Sequence, residues 1–238
     1  MKRSIAALVF CLTFFTLSQG FAKEKPRLGV LRFTNSTSAA WWSGTAGRDM
    51  QDMLAAELVT LKAFRVLERK ELEAVLGEQD LGAKGRISKS TRSKIGNITG
   101  AKYLVAATVS AYEEGVSGTD GGIGIGGISL GGKKKRAYLA VDLKIIEVET
   151  GEIVDARTVE ATAKSGGLGA GLRVGSFSGN LGKQKKTPAG KAIRACIMEI
   201  AEYLECSLVK GKNDPCMSGF NAKESKRRQK TKGAIDLD

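Results

Sequence analysis

From residue 136 to 165 the chain reads "RAYLAVDLKIIEVETGEIVDARTVEATAKS", and its first half alternates strictly. Tyr138, Ala140, Asp142 and Lys144 stand on one parity; Leu139, Val141, Leu143 and Ile145 stand on the other. A period of two over that length predicts a strand with one buried face, and "VETGEI" turns it back into a hairpin. "AKYLVAATVSAYEE" (101–114), rich in β-branched and aromatic residues, predicts a further strand before it. "RLGVLRF" (27–33) predicts a buried first strand with Leu28, Val30 and Phe33 in the core, and "FRVLER" predicts a short one.

Between these segments the period becomes helical. "AGRDMQDMLAAELVTLKAF" sets Met50, Met53, Leu54, Leu58 and Leu61 on one face, with Ser43 or Thr45 available as a cap. "KELEAVLGEQDLG" predicts a second helix with Leu72, Val75 and Leu76 inward and a stop near Gly82; "SKSTRSKIGNITG" predicts a short third, capped by Ser88 and stopped by Gly100. "TPAGKAIRACIMEIAEYLECSLVKG" predicts an amphipathic closing helix, with Thr187 as cap, Pro188 at its first position and Gly211 just past its end. The order is strand, helix, strand, helix, helix, three long strands, helix. It predicts an α/β (α+β) domain whose mixed or antiparallel sheet carries packed helices.

The first residues follow a different pattern. Lys2 and Arg3 precede an apolar run from Ile5 to Leu17, and "QGFA" offers small residues before a cut after Ala22. That predicts a secretory signal peptide over 1–22, since the run is shorter than the ~20 residues of a membrane span. Cys11 lies inside the run with Val9-Phe10 before it, so it makes a poor lipidation site. An exported chain can oxidise its remaining cysteines. Cys206 and Cys216 flank "SLVKGKNDP", whose Gly211 and Pro215 let the chain turn back, and are the expected disulfide. Cys196 and Cys206 would stand about 15 Å apart on one helix, too far to bridge, which leaves Cys196 as a buried thiol.

Charge narrows the partners. Lys and Arg number 38 against 25 Asp and Glu, a net +13. Much of the excess lies in "KKKR" (133–136), "KQKK" (183–186) and "KESKRRQKTKG" (223–233). In an exported protein the acidic partners are anionic lipid, envelope polymers or acidic proteins, and nucleic acid is not expected. Residues 212–238 read as a basic, disordered tail after a domain spanning 23–211.

The chemistry expected of an enzyme is missing. There is no histidine, which removes the usual general base and the commonest zinc ligand. No cysteine spacing suits a metal, and Glu113 and Glu114, adjacent on a strand, point to opposite faces. "GGIGIGGISLGG" (121–132) contains G-x-G-x-x-G at Gly122, Gly124 and Gly127, but no helix follows to face a pyrophosphate. "GGKKK" lacks the hydroxyl residue that a P-loop places on magnesium. No catalytic residue, metal or cofactor is expected.

Four stretches, "RLGVLRFTN", "DMLAAELVTLKAFRVLERKELEAVLGEQ", "IGNITGAKYLVAATVSAYE" and "AVDLKIIEVETGEIV", run in order over about residues 27–205 and resemble the CsgG family of envelope proteins. The resemblance implies a periplasmic α/β domain that assembles into a homo-oligomeric ring. In the family's curli secretion channel each subunit also gives two β-hairpins to a shared outer-membrane barrel. It further implies a secreted polypeptide cargo, envelope accessory proteins and contact with outer-membrane lipid. The Gly-rich stretches, within 115–136 and 160–186, stand where those hairpins would emerge. In "GGLGAGLRVGS" Leu168, Ala170, Leu172 and Val174 share one parity, as lipid-facing residues do. In the first stretch Ile123 and Ile125 share a parity, and Ile128 and Leu130 take the other. The alternative is a pair of periplasmic loops in a soluble accessory protein, such as an activator of a cell-wall synthase.

The family's loop after the first strand lines the pore constriction, which makes Asn35, Trp41 and Trp42 candidates here. The alternative is that both tryptophans pack at a subunit interface or beneath the first helix. The loop is shorter than the curli channel's, and the channel's lipidation cysteine has no evident counterpart.

Overall fold

A computed structural model describes residues 24–117, 134–164 and 187–234. Its strands are β1 (Arg27–Val30), β2 (Thr34–Asn35), β3 (Arg65–Leu67), β4 (Tyr103–Ser117), β5 (Lys134–Glu147) and β6 (Ile153–Lys164). They form one sheet in the order β3-β1-β4-β5-β6, with the short β2 also on β4. β1 runs parallel to β3 and β4, while β4, β5 and β6 form an antiparallel meander. The sheet is therefore mixed, as the strand pattern predicted.

Helices α1 (Ala46–Leu61) and α3 (Pro188–Leu204) pack side by side on one face of this sheet. The alternation of β5 decides which face. Leu139, Val141, Leu143 and Ile145 are fully buried under α3, with Ile193, Ile197 and Ile200 above them. Met50, Leu54 and Leu58 of α1 close the core over Leu28, Val30 and Val105. The opposite face is polar: Thr34 and Thr108 bond through their hydroxyls at 2.7 Å, and Thr158 donates to Asp142 at 2.8 Å.

Local chemistry explains the joins. Thr187 Oγ1 accepts the Gly190 N–H at 3.1 Å, and Pro188 occupies the first turn, as the sequence pattern predicted for α3. The buried Gln51 donates to the Val30 carbonyl at 2.7 Å and fixes α1 against β1. Gly47 makes that approach possible, because a Cβ there would strike the Phe33 carbonyl. Neither Ser43 nor Thr45 caps α1 through its side chain; the Thr45 hydroxyl turns to Asp49 at 3.3 Å instead.

Three expectations are corrected. α2 (Leu72–Ala83) forms where predicted, but Val75 is 41% and Leu76 44% exposed, because no described element covers that side. The stretch 88–99 is irregular rather than helical. Ser88 and Ser90 hydroxyls bond each other at 3.0 Å, Gly96 takes a positive φ, and Ile95 and Ile98 have no core to enter. Finally, Met217–Lys232 forms a helix, α4, where a disordered tail was expected. Cys206 and Cys216 are joined by a disulfide that fixes its start. Phe220, 5.4 Å from the Tyr203 ring, anchors its first turns.

Candidate functional site

The parallel pairing of β1 and β2 with β4 aims the loop after β2 along the same direction as the end of β4. Ser36 N–H donates to the Val109 carbonyl at 2.9 Å, and Trp41 lies 5.5 Å from the Tyr112 ring. Asn35 is consumed by its own turn: its Oδ1 accepts from the Thr37 N–H and hydroxyl, and its Nδ2 donates to the Thr37 carbonyl. Trp41 is buried in the core, edge-on to Trp42 at 5.6 Å, with its indole N–H unpartnered among the described residues. Trp42 is only half-buried. Of the three candidate constriction residues, Asn35 and Trp42 thus keep partial exposure, and Trp41 packs from the core against Trp42.

Both Gly-rich stretches leave from that end of the sheet. β4 and β5 remain paired to Ser117 opposite Lys134, and β6 reaches Lys164 opposite Arg136. α3 runs from the Lys164 end towards the turn end, since Cys196 lies against Val159 and Tyr203 against Asp155. Residues 118–133 and 165–186 are therefore bracketed by elements that stop at one end of the domain. Ile123, Ile125, Ile128, Leu130, Leu168, Ala170, Leu172 and Val174 lie outside the described residues.

A second feature was not legible in the sequence. Arg157 of β6 places its guanidinium 4.5 Å from the Tyr203 ring centre and donates to the Phe220 carbonyl at 2.6 Å. Asp155 accepts from the Tyr203 hydroxyl at 2.7 Å and from Ser207 at 2.6 Å. Burial and that bond raise the Tyr203 phenol above its ordinary value. A lone Phe at 220, read with Arg157, is the signal that could have revealed the docking of α4. α4 then runs back towards the Lys164 end, so Arg227, Lys230 and Ala234 lie beside Glu113, Tyr138 and Thr162. On that face Tyr138 donates to Glu160 at 2.9 Å, and burial with this bond pushes the phenol up to about 12. The arrangement holds no nucleophile–base pair among the described residues; Cys196 is buried, and burial pushes its thiol up to about 12.

Comparison with known proteins adds the following. The sequence model of the family described as "Curli production assembly/transport component CsgG" matches residues 13–235. Two curated relatives of that same description, from Salmonella typhimurium and Escherichia coli strain K12, are each 28% identical over 145 residues. Those matches cover 58% of this chain and 50% of the relative, so the chain spans about half the length of the curated relatives it matches. Among solved structures, the hypothetical protein CT253 from Chlamydia trachomatis is similar at 14% identity and a TM-score of 0.45, covering 77% of this chain and 97% of that one. The PelC dodecamer from Paraburkholderia phytofirmans is similar at 13% identity and a TM-score of 0.34, covering 74% and 87%.

Proposed function

The chain belongs to the CsgG family, and from that premise we propose that it is a non-enzymatic subunit of an oligomeric outer-membrane channel exporting an extracellular polypeptide. It reaches the envelope of a Gram-negative bacterium through the signal peptide at 1–22. Transport is passive diffusion of cargo through the ring. The observation that carries this reading is the running β4–β5 ladder at the edge of residues 118–133, with residues 165–186 leaving the adjacent strand at the same end. Hydrocarbon offers no hydrogen bonds, so a strand enters it only with its ladder already paired. The loop carrying Asn35 and Trp42 sits at that same end, where a constriction ring would stand beneath a barrel.

Carbonate extraction, sizing in detergent and conductance across planar bilayers test the reading. Membrane residence as a large ring with steady conductance supports it. A wholly soluble monomer overturns it. A second reading, a soluble periplasmic accessory protein, rests on the exposed Val75 and Leu76 of α2, which offer a partner protein an apolar surface without membrane contact. Co-purification of a stoichiometric partner with the soluble form favours that reading.

A further inference from the structure

We propose that the end of the domain from which the Gly-rich stretches leave carries a collar of cations, from α4 and the β5–β6 pair, that binds the phosphates of an anionic lipid bilayer. The inference rests on the channel reading for the orientation of that end, and adds a partner and a set of residues to it.

α4 carries six cations, Lys223, Lys226, Arg227, Arg228, Lys230 and Lys232, against one acid, Glu224. Internal pairing accounts for three of them: Lys223 meets Glu199 at 2.6 Å, and Glu224 takes Arg227 and Arg228 at 2.7 Å each. Lys226, Lys230 and Lys232 are exposed and make no ion pair among the described residues. A helix this polar has little burial of its own, and its apolar anchors, Met217 and Phe220, both lie at the far end. The docking instead carries the unpaired lysines towards the end where β4, β5 and β6 stop.

The sheet supplies an independent observation. Arg136 and Lys164 are direct cross-strand partners, both exposed. Like charges opposite each other in an antiparallel pair repel, and Gly115, the other neighbour of Arg136, offers no counter-charge. Arg136, Arg227 and Lys230 line one open cleft of about 770 Å3 beside the Thr162 hydroxyl, with Glu113 and Glu160 as its carboxylates. Glu160 accepts from the Tyr138 hydroxyl and keeps its negative charge. In the cleft itself Arg136 and Lys230 balance the two carboxylates, so the excess comes from Lys164, Lys226 and Lys232 around it, and cations facing where a bilayer would lie fit phosphate headgroups. A juxtamembrane cation gains roughly fivefold in partition to an anionic surface.

The full-length protein is tested by flotation with vesicles of phosphatidylcholine alone and with one-third phosphatidylglycerol, beside the triple variant Lys226→Glu, Lys230→Glu, Lys232→Glu. The collar predicts that the native protein favours the anionic vesicles, that salt removes the preference, and that the variant loses it by more than about a hundredfold, the figure for losing three cations alone, while keeping its ring size and conductance. Equal binding of native protein to both vesicles, or an unchanged preference in the variant, overturns the collar and leaves the channel to its own test. Tighter binding to a soluble polyanion such as polyphosphate than to anionic vesicles also overturns it, in favour of a polymer-binding surface. An anionic preference that persists in native protein unable to resist carbonate removes the channel and keeps the collar.

Discussion

The guanidinium of Arg157 stacks over the Tyr203 ring at 4.5 Å and at the same time donates to the carbonyl of Phe220. One edge-strand side chain thereby ties α3 and α4 to β6. Arg157→Ala is expected to cost about 2 kcal/mol, from the lost stack and the lost charged hydrogen bond. It should also release amides 218–232 to fast hydrogen exchange. Arg157→Lys keeps the charge without the planar fork, and its α4 amides should exchange nearly as fast as those of the alanine variant.

The two tryptophans separate stability from transport. Trp41 is a core residue, so Trp41→Ala is expected to lower stability by about 3–5 kcal/mol in urea unfolding. Trp42 is half-buried, and Trp42→Ala should cost much less. If the loop lines a constriction, that variant raises single-channel conductance; unaltered conductance removes Trp42 from the pore.

Cys196 and the Cys206–Cys216 bridge behave oppositely. Burial, with the nearby charges of Glu199 and Glu160, holds the Cys196 thiol near 12, above its ordinary 9, and its Sγ faces the Leu139 and Val159 carbonyls at 3.8 Å. In the chain cleaved after Ala22, an aromatic disulfide reagent should therefore leave the native protein untouched and react with one thiol on unfolding. Cys216→Ser opens a loop of separation 10 and is expected to cost about 2.5 kcal/mol by chain entropy, read as a fall in the unfolding midpoint.

Acid should loosen α4. Hydrogen bonds from Arg227, then Arg228, hold the Glu224 carboxyl below its ordinary 4.5. A lowered carboxyl pKa gives stability that is present above 4.5 and lost as pH falls through the folded value. Exchange protection of the α4 amides should hold at about pH 5.5 and drop by about pH 3. Glu224→Gln should remove that step while leaving the β5–β6 amides unchanged.

Under the ring reading, the uncovered side of α2 meets a second subunit. Val75→Glu with Leu76→Glu should change monomer stability by no more than about 0.5 kcal/mol, since both are exposed. Sizing in detergent should show rings breaking to smaller species; intact rings place the contact elsewhere.

Where one residue type answered one period, the sequence was legible. Leu139 to Ile145 declared their buried face through strict alternation, and Thr187-Pro188 marked the start of α3 through local hydrogen bonding. Position in a sheet was less visible. β2, two residues long, exists because Thr34 and Asn35 meet Thr108 and Val109 across 74 positions of chain, a pairing no local pattern encodes. α4 was misread for a related reason: its charge run looks solvated, and what orders it is a bridge to Cys206 and a cation on a distant strand. Val75 and Leu76 kept helical spacing, but spacing does not say whether a core stands on that side. For the candidate site, the tryptophans were visible as residues; that one supports the other from the core was not.

The topology also sets how far along the chain each strand finds its partner. β4, β5 and β6 are consecutive in sequence and pair with their neighbours, whereas β1 finds β4 only across some seventy residues that hold α1, β3 and α2. Yet β1 is an inner strand, held between β3 and β4. The first strand among the described residues thus depends on a partner some 75 residues away, and while that pairing is open Tyr103–Val105 presents an unpaired edge to every other chain nearby.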